Sequence, residues 1–116
     1  MDILIQEDAI NLKLEQELEA KKEDRKNTPV YSGVLKYFPL AISEVAKCSM
    51  SGQIQHNPDK PLAWDRAKSG DELDALMRHL SDHSTNPIDD DGQLHLAKVA
   101  WRALAALQKH LEGEKV

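Results

Sequence analysis

Apolar residues recur at helical spacing in four places along the chain, and the spacing breaks between them. From Ile3 to Lys26 the chain is rich in Glu, Lys and Leu and holds no Pro or Gly, which favours helix. Ile3, Ile10 and Leu14 fall on one stripe with Leu18 near it, and beyond Leu18 the run EAKKEDRK has no apolar side. So narrow a stripe suits packing against a partner helix. A solvated helix end is the plainer alternative. Asn27, Pro29, Ser32 and Gly33 then interrupt the pattern.

A second helix is expected from Pro39, whose missing N–H is harmless in a first turn, to about Met50. Ala41, Ile42, Val45, Ala46 and Cys48 make its apolar side, with Glu44 and Lys47 outside it. SGQIQHNPDKP, with two prolines, Gly52 and Asn57, reads as a long loop. Ser69 followed three residues later by Glu72 is the pattern of a capping box and opens a third helix. Leu73, Leu76, Met77 and Leu80 give that helix a core stripe, and Asn86 and Pro87 end it. A fourth helix runs from near Gly92 to about Leu111, with Leu96, Val99, Ala100, Ala103, Leu104 and Leu107 on its buried face.

The pattern therefore predicts an all-α protein, an antiparallel helical bundle completed by homo-oligomerisation. Its core would gather Leu73, Leu76, Met77, Leu80, Leu96, Val99, Ala103 and Leu107. Residues 1–30 would form an N-terminal helical arm and residues 31–116 the functional domain.

Composition narrows the classes of function. With 116 residues there is room for one domain and little more. Aromatics are only 4% of the chain, so alanine and leucine must fill the interior, which favours close-packed helices over a sheet. Twenty acidic residues stand against fifteen basic ones, and no Lys/Arg cluster stands out, so duplex nucleic acid is not an expected partner. The single cysteine, Cys48, excludes an internal disulfide and reads as a small core residue. Acidic residues near the N-terminus do not suit a signal peptide, and no apolar run is long enough to span a membrane. A cytoplasmic protein is expected.

The candidate chemistry lies between Ser69 and Trp101. With about 100° of turn per residue, Glu72, His79 and His83 share a flank of the third helix, while Asp82 points away from the leucine stripe. A carboxylate and imidazoles aligned along a groove can ligate a metal or meet a phosphate; for His83 a contact with the helix C-terminal dipole is the plainer role. His95 and Arg102 share a flank of the fourth helix, with Lys98 just outside it. Asp89, Asp90 and Asp91 precede that helix, and one of them is expected as its N-cap. Three consecutive carboxylates exceed what capping needs and suit Mg²⁺ or Mn²⁺. No Gly-rich phosphate loop, CxxC pair, HExxH or Ser/His/Asp signature is present.

The order of these residues carries a resemblance. Glu44-Val45-Ala46, then Trp64, then Asp74-Ala75-Leu76-Met77-Arg78-His79-Leu80, an Asp-rich turn with Gly92, His95-Leu96-Ala97 and Ala100-Trp101-Arg102-Ala103-Leu104 follow one another. The series resembles the phage and bacterial dATP/dGTP diphosphohydrolase family, relatives of the MazG-type all-α pyrophosphohydrolases, over roughly Tyr31 to Glu112. The resemblance implies metal-dependent hydrolysis of a purine deoxynucleoside triphosphate to the monophosphate and pyrophosphate. It carries Glu44, His79, Asp91 and His95 over as site residues, with Glu44 and His79 as the catalytic pair. Adding the flank carboxylate gives Glu44, Glu72, His79, Asp91 and His95 as candidate ligands of Mg²⁺ or Mn²⁺. Lys47, Lys98 and Arg102 are the candidate phosphate-binding cations.

Two positions depart from the family pattern. Ser43 stands where the first of a glutamate pair is common, and Lys98 stands where the second histidine of HxxH is common. A protonated lysine cannot ligate a metal but can hold a phosphate. These departures favour the alternative, a nucleotide-binding or structural helical module without turnover.

Overall fold

A computed structural model describes residues 3–68 and 70–116. The chain divides into two compact units between Phe38 and Pro39.

The first unit carries helix α1, Ile3–Lys26, and a short π-helical turn, Tyr31–Leu35. The helix has the extent its Glu, Lys and Leu content predicts. Its end is fixed locally: the Thr28 hydroxyl donates to the Asp24 carbonyl at 2.6 Å, just before Pro29. Ile10, Leu14 and Leu18 are all exposed.

The second unit holds α2 (Pro39–His56), a 3₁₀ turn (Arg66–Lys68), α3 (Glu72–His83) and α4 (His95–Leu111). Both α2 and α3 pack on α4, which is the central element. Among the described residues there is no strand, only an isolated antiparallel bridge between Ile88 and Leu94. None of the described helices is long and apolar enough to cross a membrane.

Helices α3 and α4 run antiparallel. His79 meets His95, and seven residues back along α3 Glu72 meets Arg102, seven residues on along α4. Between these rungs Ala75 is almost fully buried, and Ala97, Ala105 and Ala106 are buried on α4. Small side chains at the contact let the two axes approach closely.

This packing overturns the expected core. Leu73, Met77, Leu80, Leu96, Ala103, Leu104 and Leu107 are exposed, and Leu76 and Val99 are only half-buried. The buried side of α3 is instead the flank of Glu72, Ala75 and His79, and that of α4 carries His95, Ala105, Ala106 and Lys109. The physical reason is pairing: the flank carboxylate and imidazole of α3 find cations and an imidazole on α4, so the polar sides can face each other. The leucine stripes are left on the outside. On α2, Ile42, Val45 and Cys48 are half-buried, while Ala41 and Ala46 are exposed.

Three boundaries also differ from expectation. Helix α2 continues six residues beyond Met50 to His56, through Ser51 and Gly52. The buried Gln53 explains this: its amide donates to the Asn57 carbonyl at 2.6 Å and to the Lys60 carbonyl at 2.9 Å, and its oxygen accepts from the Ala63 N–H at 3.1 Å. One side chain thus ends the helix and folds the following loop onto it. Helix α3 starts at Glu72 after Asp71, which makes no side-chain cap; Ser69, the other half of the expected capping box, lies outside the described residues. Helix α4 starts at His95, with Leu94 at the N-cap position, so none of the three aspartates caps it.

Candidate active site

The loop from Pro87 to His95 is tied across its base. Asp89 N–H donates to the Gln93 carbonyl at 2.8 Å, and His95 N–H donates to the Pro87 carbonyl at 3.0 Å. Gly92, at φ +81°, makes the reversal that an L side chain would resist. The three aspartates therefore sit in a fixed loop over the end of the α3–α4 pair.

Asp89 and Asp91 turn towards α4, where Lys98 Nζ lies 2.6 Å from Asp89 Oδ2 and 2.7 Å from Asp91 Oδ2. Asp89 also faces both rings, 3.8 Å from His79 Nδ1 and 3.9 Å from His95 Nδ1. The two rings touch each other, Nδ1 to Nδ1, at 3.0 Å. Asp90 is exposed, and its N–H donates to Asp89 Oδ1.

The electrostatics follow from these contacts. Hydrogen bonding from Lys98 holds the Asp89 carboxyl below its ordinary range. Burial works against the charge of Asp91, but Lys98 and the Gln93 N–H outweigh it and the pKa falls. For Lys98 itself burial is overcome by the two aspartates, and its pKa rises. His79 is pushed down by burial first and by the Lys98 charge second. The pattern is two fixed carboxylates, a fixed ammonium and a histidine that stays neutral near neutral pH.

A cleft of about 600 Å³ opens beside this cluster, a size ordinary for small-ligand sites. His79, Asp91, Lys98 and Arg102 line it from α3, α4 and their connection. Ser49 and Gln53 of α2 and the loop residues Leu62 and Trp64 line it too. Trp101 joins the two sides: its Nε1 donates to Ser49 Oγ at 2.8 Å and its ring meets Trp64 edge to face at 5.6 Å. Arg66 covers Trp64 at 4.3 Å from the ring centre.

The sequence-expected residues separate in space. His79, Asp91, His95, Lys98 and Arg102 come together. Glu44 does not line the cleft; it pairs with Lys47 at 2.9 Å, one turn before Cys48 on α2. Cys48 does line it, half-buried, and burial raises its thiol pKa; Lys98, Asp91 and Glu44 all act on that thiol. Lys47 is exposed. Glu72 is buried behind the cluster, with Oε1 on Arg102 at 3.1 Å and Oε2 on Lys109 at 2.9 Å. His83 is half-buried, and its Nδ1 is enclosed without a hydrogen-bond partner.

Asp82 is exposed, as its direction away from the leucine stripe predicts, and it was not among the expected ligands. His79, Asp82 and His95 each present a ligating atom, all within 4.8 Å of one another. Two imidazoles and a carboxylate fit Mn²⁺ better than Mg²⁺, which prefers oxygen and water. The more oxygen-rich position, between Asp89 and Asp91, is held by the Lys98 ammonium. Asp82 stands three residues after His79, so helical spacing alone pairs them; its neighbourhood was hidden by taking the leucine stripe as the core.

Comparison with curated proteins and with solved structures returns no match. A family profile described as dATP/dGTP diphosphohydrolase, N-terminal, matches residues 18–116. That span begins within α1, earlier than Tyr31, and takes in every residue of the cleft and the His/Asp/Lys cluster. The chain belongs to the dATP/dGTP diphosphohydrolase N-terminal family.

Proposed function

We propose that this domain hydrolyses a purine deoxynucleoside triphosphate to the monophosphate and pyrophosphate, with a divalent metal ion, Mn²⁺ before Mg²⁺, as cofactor. The observation that carries the reading is the convergence of His79, His95, Asp89, Asp91 and Lys98 at one cleft. The description of the family names dATP and dGTP and supports the choice of substrate.

His79, Asp82 and His95 would hold the metal. When bound, it supplies positive charge against the triphosphate. Lys98, locked between two aspartates, and Arg102, at the cleft wall, hold phosphate oxygens. His79 has a depressed pKa, so its ring stays neutral and its unprotonated nitrogen would serve as the metal ligand. Asp91 keeps Lys98 turned into the cleft. Glu44, one turn before Cys48 on α2, would act from that side as the acceptor of the water proton after leaving Lys47. Trp64 and Trp101 form the apolar end, where a base can pack away from the charges.

Self-association belongs to this reading. Leu73, Met77 and Leu80 of α3, and Leu96, Leu104 and Leu107 of α4, are exposed on helices whose polar sides are already paired. A second copy of the chain would cover them.

An assay of the common dNTPs with Mn²⁺ and with Mg²⁺, separating pyrophosphate from triphosphate release, tests the activity. Pyrophosphate release from dATP or dGTP is expected. Tight binding of a dNTP without release of either product would support a nucleotide-binding module instead. That second reading is favoured by Lys98, which already neutralises the two aspartates.

A further inference from the structure

Glu72 and Lys109, buried behind the cleft, have no part in the mechanism above. Glu72 is 3% exposed, and its two oxygens accept from different cations: Arg102 at 3.1 Å and Lys109 at 2.9 Å. A carboxylate buried this deeply is retained as a charge only because cations face it. Lys109 is buried too and leans on the Trp64 ring at 5.5 Å. Arg102 is different. It touches Glu72, and it also lines the cleft beside Lys98 and His79, with its guanidinium 5.4 Å from the Trp101 ring. Glu72 does not line the cleft.

We infer that Glu72 is a positioning residue: it fixes the Arg102 guanidinium at the cleft wall as a preorganised receptor for the phosphate oxygens of a pyrophosphate or triphosphate group. The inference rests on the proposed hydrolase reading for its substrate but on the Glu72–Arg102 contact for its geometry. A flexible arginine has to be ordered when its ligand arrives, and one already clamped by a buried carboxylate does not. A guanidinium also presents a planar fork of donors, so holding one edge sets the plane of the whole group. The helix spacing makes the arrangement rigid. Glu72 sits two turns before His79 on α3, and Arg102 two turns after His95 on α4, so the same pairing that joins the histidines sets this second rung. Glu72 is thereby moved from the expected metal ligands to the support of a phosphate-binding arm.

The test measures the dissociation constant of inorganic pyrophosphate by calorimetry in metal-free buffer, with KM and kcat for dGTP beside it. Glu72→Gln and Arg102→Gln should each weaken pyrophosphate binding about tenfold and raise KM more than they lower kcat. The double variant should bind no worse than the weaker single one, because both changes break one arm. Glu72→Gln leaves Lys109 buried opposite a neutral group, so Glu72→Gln/Lys109→Met removes the buried ammonium and keeps the test usable if the single variant does not fold. Lys109→Met alone should lower the melting temperature and leave pyrophosphate affinity within about twofold. Unchanged affinity in the Glu72 variants, fully additive losses in the double variant, or a wild-type protein that does not bind pyrophosphate would each overturn the inference. Pyrophosphate binding with Glu72–Arg102 coupling but no dNTP turnover would overturn the hydrolase reading and leave this inference standing.

Discussion

His79 and His95 meet Nδ1 to Nδ1 at 3.0 Å, which makes one ring the donor and the other the acceptor across the α3–α4 seam. Asp89 stands within 4 Å of both and is itself clamped by Lys98, so a change at any one of these groups is felt by the others. Removing an electrostatic contact of this kind lowers rates on the order of 10²–10³-fold in enzymes generally. His79→Ala should lower dNTP hydrolysis by at least that much while helical content stays unchanged, because Ala75 and the Glu72 rung still hold α3 to α4. Circular dichroism alongside the activity assay decides it: loss of helix together with activity would make His79 a packing residue.

Asp82→Asn should weaken Mn²⁺ binding by roughly 10–100-fold, the range seen when even supporting groups of a metal site are removed. Asp82 is exposed, and among the described residues its carboxylate has no hydrogen-bond donor, so stability should not change. Titration of Mn²⁺ followed by electron paramagnetic resonance reads the affinity directly. If Asp82→Asn binds as the parent does while Asp91→Asn does not, the metal lies on the other side of the histidine pair, where Lys98 now sits.

Much of this site was legible in the chain, and the reason for the rest is specific. Helix existence followed from Leu, Ala, Glu and Lys content, and α1 and the C-terminal end of α4 fell where their punctuation put them. The shared flank of His95 and Arg102 was visible from helical spacing, and joining them with His79 and Asp91 came from the family resemblance. Which direction points inward was not visible. A stripe such as Leu73, Leu76, Met77 and Leu80 states that one side wants to be covered, and it does not say whether by the same chain or another. Here the same chain covers Glu72 and Ala75, while Asp82 stays exposed, as its direction away from the leucines predicts. Gln53 was hidden for a different reason: a polar residue in a Gly- and Pro-containing stretch gives no periodic signal, and its three backbone partners lie up to ten residues away.

The exposed leucines predict assembly. Light scattering at micromolar concentration should give at least twice the 13.0 kDa of one chain. Leu104→Glu or Leu107→Glu places a charge in the apolar surface and should shift the mass towards the single chain. Deleting the first 26 residues removes α1 and asks separately whether the arm contributes. A parent protein with the mass of one chain would leave the leucine stripes without a second copy to cover them.

Stability should depend on pH in two separate windows in metal-free protein. His79 has a folded pKa below its ordinary 6.5, so the unfolded chain binds more protons there. Its contribution is complete above about pH 6.5 and is lost as the pH falls towards the depressed value. Asp89 and Asp91 also have lowered pKa values, so their contribution is present above the ordinary 3.8 and is lost only as the pH falls through the folded values. A melting temperature that falls in two steps on acidification is expected, and His79→Gln should remove the upper one. A single acid transition in the parent, unchanged in that variant, would mean that His79 is not held neutral by its surroundings.

Gln53→Ala tests how the far wall of the cleft is kept. The side chain satisfies two carbonyls and one N–H, and truncation leaves those groups to find water in a part-buried loop. Leaving one such group unpaired costs about 1–3 kcal/mol, so a loss of stability in or above that range is expected. The loop that Gln53 ties down ends at Trp64, whose ring packs on Trp101 and carries Arg66. Freed of its anchor, this wall should move while the His79–His95 end, built from α3 and α4, stays in place. The variant should therefore melt earlier, lose nucleotide affinity and keep its affinity for Mn²⁺, measured on folded protein below the melt. Gln53→Glu separates shape from hydrogen bonding: its oxygens can still accept from Ala63 N–H but cannot donate to Asn57 and Lys60 when ionised, so it should fall below the parent as well. Unaltered nucleotide affinity in both variants would show that Trp64 is held by Trp101, Arg66 and Lys109 alone.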